Sequence, residues 1–193
     1  MMVFAVEAPI DEFLARQGRV PTPRPARCPV CRHPWVIFDG WWTRWTRRGP
    51  VDIHRVLCRG CGRSHSCWPD VLVGRRLDLA VVIGAALEAR AAGLGAGRIG
   101  AQLGVPAATV RGWLRRFAVL AEGLTQQLLT LAVDADPAAR APPPGPAVVV
   151  AVAAVAVAGA AMASLSGEAV DRWRFAVAVT AGGLLAPSTD VSP

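Results

Sequence analysis

Two short cysteine pairs limit this chain more than any other feature. Cys28-Pro29-Val30-Cys31 and Cys58-Arg59-Gly60-Cys61 are both C-x2-C, and 26 residues separate them. A two-residue gap lets both sulfurs of a pair face one ion from a tight turn. Gly60 and Gly62 relieve the backbone there, so that amides can reach sulfur. Two such knuckles brought together complete a tetrahedral set of four thiolates, the donor chemistry of structural Zn²⁺. All four ligands come from the chain and leave no open position, so the expectation is a structural metal and no catalytic one. A thioredoxin-like redox pair wants one C-x-x-C beside a βαβ pattern, which is not seen. An iron–sulfur cluster could use four cysteines but is less natural on a small hairpin. Cys67 is left over and reads as a packed small hydrophobe beside Trp68. His33, His54 and His65 could each replace a ligand, but four well-spaced cysteines make them bystanders.

A segment of about 40 residues cannot support itself by core burial, so a bound metal becomes part of its folding energy. Tryptophan and β-branched residues crowd this segment. They suggest two strands, Trp41 to Arg48 and Val51 to Cys58, joined as a hairpin at Gly49-Pro50. Strand alternation should send at least about half of Trp35, Trp41, Trp42 and Trp45 into the small core. The remainder, interleaved with Arg44, Arg47 and Arg48, would meet phosphates or stack on bases. Upstream, a short helical pattern (Ile10, Phe13, Leu14) gives way to "RVPTPRPARCP", a proline-rich extended linker.

All 21 basic side chains are arginine. Residues 16 to 116 hold 18 arginines against five acids, a local charge of +13, and the remainder of the chain carries −6. A basic block joined to a mildly acidic part is the footprint of a nucleic-acid-binding unit attached to something else. Met1 to Pro9 contains Glu7 and no basic run before a long apolar core, so no secretion signal is read. The five cysteines are therefore expected in a reducing compartment, with the protein cytoplasmic and associated with the nucleoid.

Past residue 70 the texture turns helical. Leu77 to Ala92 ends at Gly93, Ala96 to Leu103 stops at Gly104, and Pro106 opens a third helix. Its pattern continues through Leu114, Phe117, Ala121, Leu124, Leu128 and Leu131. That stripe is too short for a coiled coil and predicts packing within its own domain. "DADPAARAPPPGP" (134–146) is a linker, because consecutive prolines cannot be helical. Ala147 to Ala163 is a run of 17 uncharged residues, at the lower edge of what spans a bilayer. Alanine contributes little to insertion, Gly159 interrupts the run, and no aromatic belt flanks it. A buried Ala/Val helix, or one that pairs with another subunit, is expected rather than a membrane span.

Residues 95–117, "GAGRIGAQLGVPAATVRGWLRRF", carry a resemblance. Ile99, Leu103, Val105, Val110 and Trp113 hold the apolar positions, and Gly104 the turn, of the helix-turn-helix of transposases and bacterial regulators, I-A-x-x-L-G-V-S-x-x-T-V-x-x-W. Glycine stands at 100 for the usual alanine, and Pro106 for the usual serine or threonine cap. The order of cysteine ribbon, then three helices, resembles the DNA-binding heads of insertion-sequence transposases. It is also similar to short ribbon-plus-helix-turn-helix proteins found with such elements, over roughly residues 28 to 120. The ending "WRFAVAVTAGGLLAPS" resembles the tails of such proteins. The resemblance implies that the helix after Pro106 enters the major groove. Ala107, Ala108, Arg111, Gly112 and Arg115 would face DNA, Thr109 and Arg116 would lie nearer phosphates, and Arg111 would bind guanine in bidentate fashion.

An enzymatic role is not expected. A nuclease core of the RNase H type gathers carboxylates on a sheet around two metal ions. Asp134 and Glu168 have a suggestive gap, but Asp134 sits at the proline-rich linker with no strand around it. No serine or tyrosine recombinase constellation is visible. The expected architecture is α+β. An N-terminal arm (1–27) precedes a β-hairpin zinc ribbon (28–68) and a trihelical helix-turn-helix domain with an extended helix (75–132). The proline-rich linker (133–146) and a mainly helical Ala/Val-rich tail (147–193) follow. The expected function is sequence-specific binding of double-stranded DNA, as a mobile-element regulator or transposition accessory factor, acting as a homodimer or with a transposase partner. A protein-interaction or oligomerisation module and a membrane-tethered DNA-binding regulator are the rival readings.

Overall fold

The hairpin that connects the two cysteine pairs is part of a four-stranded sheet. A computed structural model describes residues 2–185, and its strands are β1 (Met2–Phe4), β2 (Val36–Thr46), β3 (Gly49–Cys58) and β4 (Ser64–Pro69). They form one sheet in the order β1-β4-β3-β2, antiparallel except for the β1–β4 pair. β2 begins at Val36, ahead of the expected Trp41, because Gly40 (φ +84°) takes up a bulge between Phe38 and Trp41. A bulge bends a strand without ending it, so a glycine that reads as a break is instead a continuation. The hairpin turn also moves. Thr46 pairs with Gly49, so the turn residues are Arg47 and Arg48 rather than Gly49-Pro50. Thr46 Oγ1 fastens it, donating to Gly49 O (2.8 Å) and accepting from Arg48 N (3.0 Å).

The N-terminal residues belong to the sheet. β1 adds to β4, and the short helix α1 (Ile10–Ala15) buries Phe13 among Val6, Val51, Ile53, Trp68, Val71 and Leu72. The segment leading to the first cysteine thus starts from a fixed anchor.

Helices α2 (Ala80–Ala91), α3 (Ala96–Leu103), α4 (Ala107–Ala135), α5 (Ala147–Ser166) and α6 (Arg172–Val179) share one core that runs from Val73 to Leu185. α2 starts at Ala80 and not Leu77, because Leu79 bridges to Leu72 and the Leu77 carbonyl accepts from the Arg47 amide. Gly104 (φ 63°, ψ 31°) ends α3 in the left-handed conformation, and three residues later α4 begins. A Cβ on Gly100 would lie 2.5 Å from the Val105 carbonyl oxygen, so only glycine admits this approach of α3 to the turn. Ile99, Val105, Val110 and Trp113 fill the space between the helices.

The second half of α4 packs along α5. Phe117, Ala121, Leu124, Leu128 and Ala132 meet the small face of α5, Ala151, Ala154, Val155, Ala158 and Ala161. The non-helical stretch between them lets the chain return. α5 is 20 residues long and apolar enough to cross a membrane by length and composition. α6 then closes the layer, capped by the Asp171 carboxylate on the amides of Trp173 and Arg174. Its Trp173 indole occupies the space a side chain at Gly84 would need.

Two arginines join the helices to the sheet. The Arg174 guanidinium meets Asp70 at 3.0 Å and also donates to the Val6 carbonyl, while Asp70 accepts from the Val6 amide at 3.2 Å. Burial pushes the Asp70 carboxyl above its ordinary value, and Arg174 opposes that shift. Arg44 lies over the Trp68 ring at 4.9 Å and donates to the carbonyls of Val73 and Arg76.

Removing one partner of a buried pair is far worse than removing both. Arg174→Ala should lower unfolding stability in urea by about 3–5 kcal/mol, and Asp70→Asn in the same chain should recover part of it. The deficit of Arg174→Ala should shrink as pH falls. A carboxyl whose folded pKa is raised takes a proton more readily in the native state, so acidification favours folding there. A deficit that grows on acidification would contradict the pairing.

Candidate metal centre and basic helix face

The four expected ligands converge. The sulfurs of Cys28, Cys31, Cys58 and Cys61 all lie within 4.8 Å of one another, with Cys28–Cys61 at 3.8 Å and Cys31–Cys58 at 3.5 Å. None is in a disulfide. A tetrahedral ion with metal–sulfur bonds of about 2.3 Å sets sulfur–sulfur edges near ~3.8 Å, so these separations suit a single ion.

The two knuckles repeat one backbone design. The Cys28 amide donates to His33 O and the Cys58 amide to Arg63 O, both at 2.9 Å. The fourth residue after each first cysteine donates back to it, Arg32 to Cys28 O (3.0 Å) and Gly62 to Cys58 O (2.9 Å). Both of those residues are left-handed, Arg32 at φ 63° and Gly62 at φ 69°. Glycine announces this turn in the second knuckle; the arginine in the first conceals it. The knuckles also touch. A Cβ on Gly60 would come within 2.5 Å of the His33 ring, and the Arg59 amide donates to Trp35 O at 2.9 Å. His33 is therefore a brace between knuckles, with Nδ1 accepting from the Trp35 amide. His65 Nε2 reaches Cys28 Sγ at 3.5 Å from outside the set, and His54 stands against Phe38. Cys67 is buried on β4, apart from the cluster, and burial raises its thiol pKa.

Electrostatics favour an ion. The Cys31 amide, against the effect of burial and with help from the Val30 amide and His65, brings Cys28 down to about 5. Cys31 moves the other way. The His33 amide favours its thiolate, but burial and the neighbouring sulfurs of Cys58, Cys61 and Cys28 push it up to about 12. One thiolate is favoured at Cys28, and Cys31 resists ionising beside it. Metal binding must then release protons, and affinity should rise with pH.

The helix residues singled out by the resemblance occupy the first turns of α4. Ala108, Arg111 and Arg115 are exposed; Ala107, Thr109, Gly112 and Arg116 are half-buried, while Val110 and Trp113 point inward. Arg111, Arg115 and the α3 residue Arg98 have no carboxylate or hydrogen-bond partner among the described residues. Arg116 donates to Gly112 O at 3.2 Å. Burial lowers the pKa of Arg76, and the charges of Arg116 and Arg75 lower it further, so these three arginines form one positive group. The sequence reading passed over Arg75 and Arg76, although the doubled arginine was visible.

The hairpin arginines are placed differently. Arg44 is half-buried at the junction, Arg47 meets Asp78 at 2.7 Å, and Arg48 meets Asp11 at 2.9 Å. Contact with phosphate would require each to leave a partner within the chain. The tryptophans correct another expectation. Trp35, Trp41, Trp42 and Trp45 are 65%, 63%, 40% and 67% exposed, so none of the four fills the core. The ribbon core is Val36, Val51, Ile53, Val56, Cys67 and Trp68 instead. β2 is an edge strand, and the N-terminal layer packs on β3, which leaves the β2 rings open; only Trp42 leans on Trp68, at 6.2 Å.

No protein-family model, curated protein or solved structure matches this chain.

One ion per chain should be found by metal analysis of the intact protein. Cys58→Ser should lose it, and Cys67→Ser should keep it, because Cys67 stands outside the cluster. Gly60→Ala, which drives a methyl into His33, should weaken binding with all four ligands intact. Metal retained equally by Cys58→Ser and wild type would contradict the four-sulfur site.

Proposed function

We propose that this chain is a sequence-specific double-stranded DNA-binding protein, held in shape by a structural Zn²⁺ on Cys28, Cys31, Cys58 and Cys61. Four thiolates with no open position suit zinc in a structural role. The observation that carries the DNA reading is how the arginines are sorted. Arg44, Arg47 and Arg48, toward the hairpin tip, are engaged within the chain, whereas Arg111 and Arg115 project from the start of α4 without partners among the described residues.

In this reading α3, the Gly104 turn and α4 act as a helix-turn-helix. The first turns of α4 enter the major groove, where Ala107 and Ala108 permit close approach and Arg111 reads guanine. Thr109, Arg115 and Arg116, with Arg75 and Arg76, meet the backbone. A single helix reads few base pairs, so a second copy or a transposase partner supplies further contacts. The resemblance to insertion-sequence DNA-binding heads supports a role as a mobile-element regulator or transposition accessory factor.

Binding-site selection followed by titration tests this directly. Arg111→Ala should relax preference at a subset of positions and weaken the selected site by about 1–3 kcal/mol. Arg116→Ala should weaken all duplexes alike, and log affinity should fall linearly with log salt. An unchanged motif from Arg111→Ala would refute base reading by this helix.

A further inference from the structure

We infer that the exposed aromatic face of the sheet is a second ligand surface, one that stacks the unpaired bases of single-stranded nucleic acid. It goes beyond the α4 reading and does not depend on it, since none of its residues is on a helix.

The bulge at Gly40 brings Phe38, Trp41 and Trp45 to one face of β2, opposite Val56, His54 and Pro50 respectively. Trp41 and Trp45 are four residues apart, about 13 Å along a strand. Both rings are largely open, and Phe38 is half-exposed. A groove of about 470 Å³ runs between Phe38, Gly40, Trp41 and His54 on one side and Pro21 and Thr22 on the other. The His54 ring stands edge-on to Phe38 with centroids 6.1 Å apart. Flat rings and a proline wall suit a nucleobase, whose apolar faces stack on them. Bases inside a duplex are already stacked and cannot offer a face.

Charge selects nucleic acid over other flat or apolar ligands. The groove wall continues into Arg24 and Arg27, and the knuckle after β3 carries Arg59 and Arg63. All four are exposed, without a carboxylate partner among the described residues. Of the acids in the same region, the buried Asp52 accepts from Thr43 at 2.7 Å and is paired with Arg19 at 3.0 Å, and the exposed Asp39 accepts from Ser64 at 3.1 Å, so the arginines outnumber the one unpaired carboxylate. Rings that stack beside cations that track a backbone are the two parts single-strand binding needs. An aromatic groove can also take a polyproline segment, but such a segment makes no use of the arginines.

The test uses the full, metal-loaded chain and a labelled oligothymidylate of roughly 12 nucleotides. Binding should quench tryptophan fluorescence. Trp41→Ala and Trp45→Ala should each weaken it by at least about fivefold, while Trp41→Phe should retain most of it. Both rings are exposed, so the variants should keep their metal, and metal content checks their fold. Arg111→Ala with Arg115→Ala should lose duplex binding and keep the oligothymidylate, which separates failure of this surface from failure of the α4 reading. Oligothymidylate affinity unchanged by both tryptophan variants would overturn the inference. So would capture of an Ala-Pro-Pro-Pro-Gly-Pro peptide in the groove by a chain that ignores the oligonucleotide.

Discussion

Four sulfurs gathered within 4.8 Å hold this structure's ribbon together. The cluster of buried residues beside them is small, namely Cys28, Val36, Val56, Cys58 and Cys67, and two of its five members are themselves ligands. Apolar burial of that size cannot order the two knuckles against chain entropy. The thiol environment says the same in electrostatic terms. Cys28 is held toward the thiolate and Cys31 away from it, and a cation would let both ionise together.

From that anchor the rest follows in order. β2 and β3 leave the knuckles as a hairpin, β4 returns beside β3, and β1 seals the far edge. The hairpin tip then reaches the helices, where Arg44 meets the carbonyls of Val73 and Arg76, and Arg47 meets Asp78. Arg174 reaches back from α6 to Asp70 and Val6. The sheet is therefore tied to the segment before α2 and to α6 by paired arginines, and different arginines are left facing solvent. A chain without lysine separates structural from available cations by position alone.

The ligand set was legible in the sequence because its spacing is a local property, and so were the glycine stops at Gly93 and Gly104 and the apolar stripe of α4, though not α5 as its partner. What escaped was set by tertiary partners. Gly40 reads as a break but sits in a bulge that prolongs β2. Arg32 takes a left-handed conformation normally flagged by glycine, visible only by comparing the two knuckles in space. Met2–Phe4 carries too little pattern to predict a strand, and it becomes one only because β4 offers an edge. The tryptophans misled for a related reason. Alternation says that one face of a strand is covered, not that a layer extends over an edge strand to cover it.

Amide hydrogen exchange of the full chain, with and without a chelator, bears most directly on the central claim. Removing the ion should deprotect the amides of both knuckles and of β2 and β3, while α4 and α5, which own a separate apolar core, stay protected. Protection in the knuckles that survives complete metal removal would contradict a ribbon folded around four sulfurs.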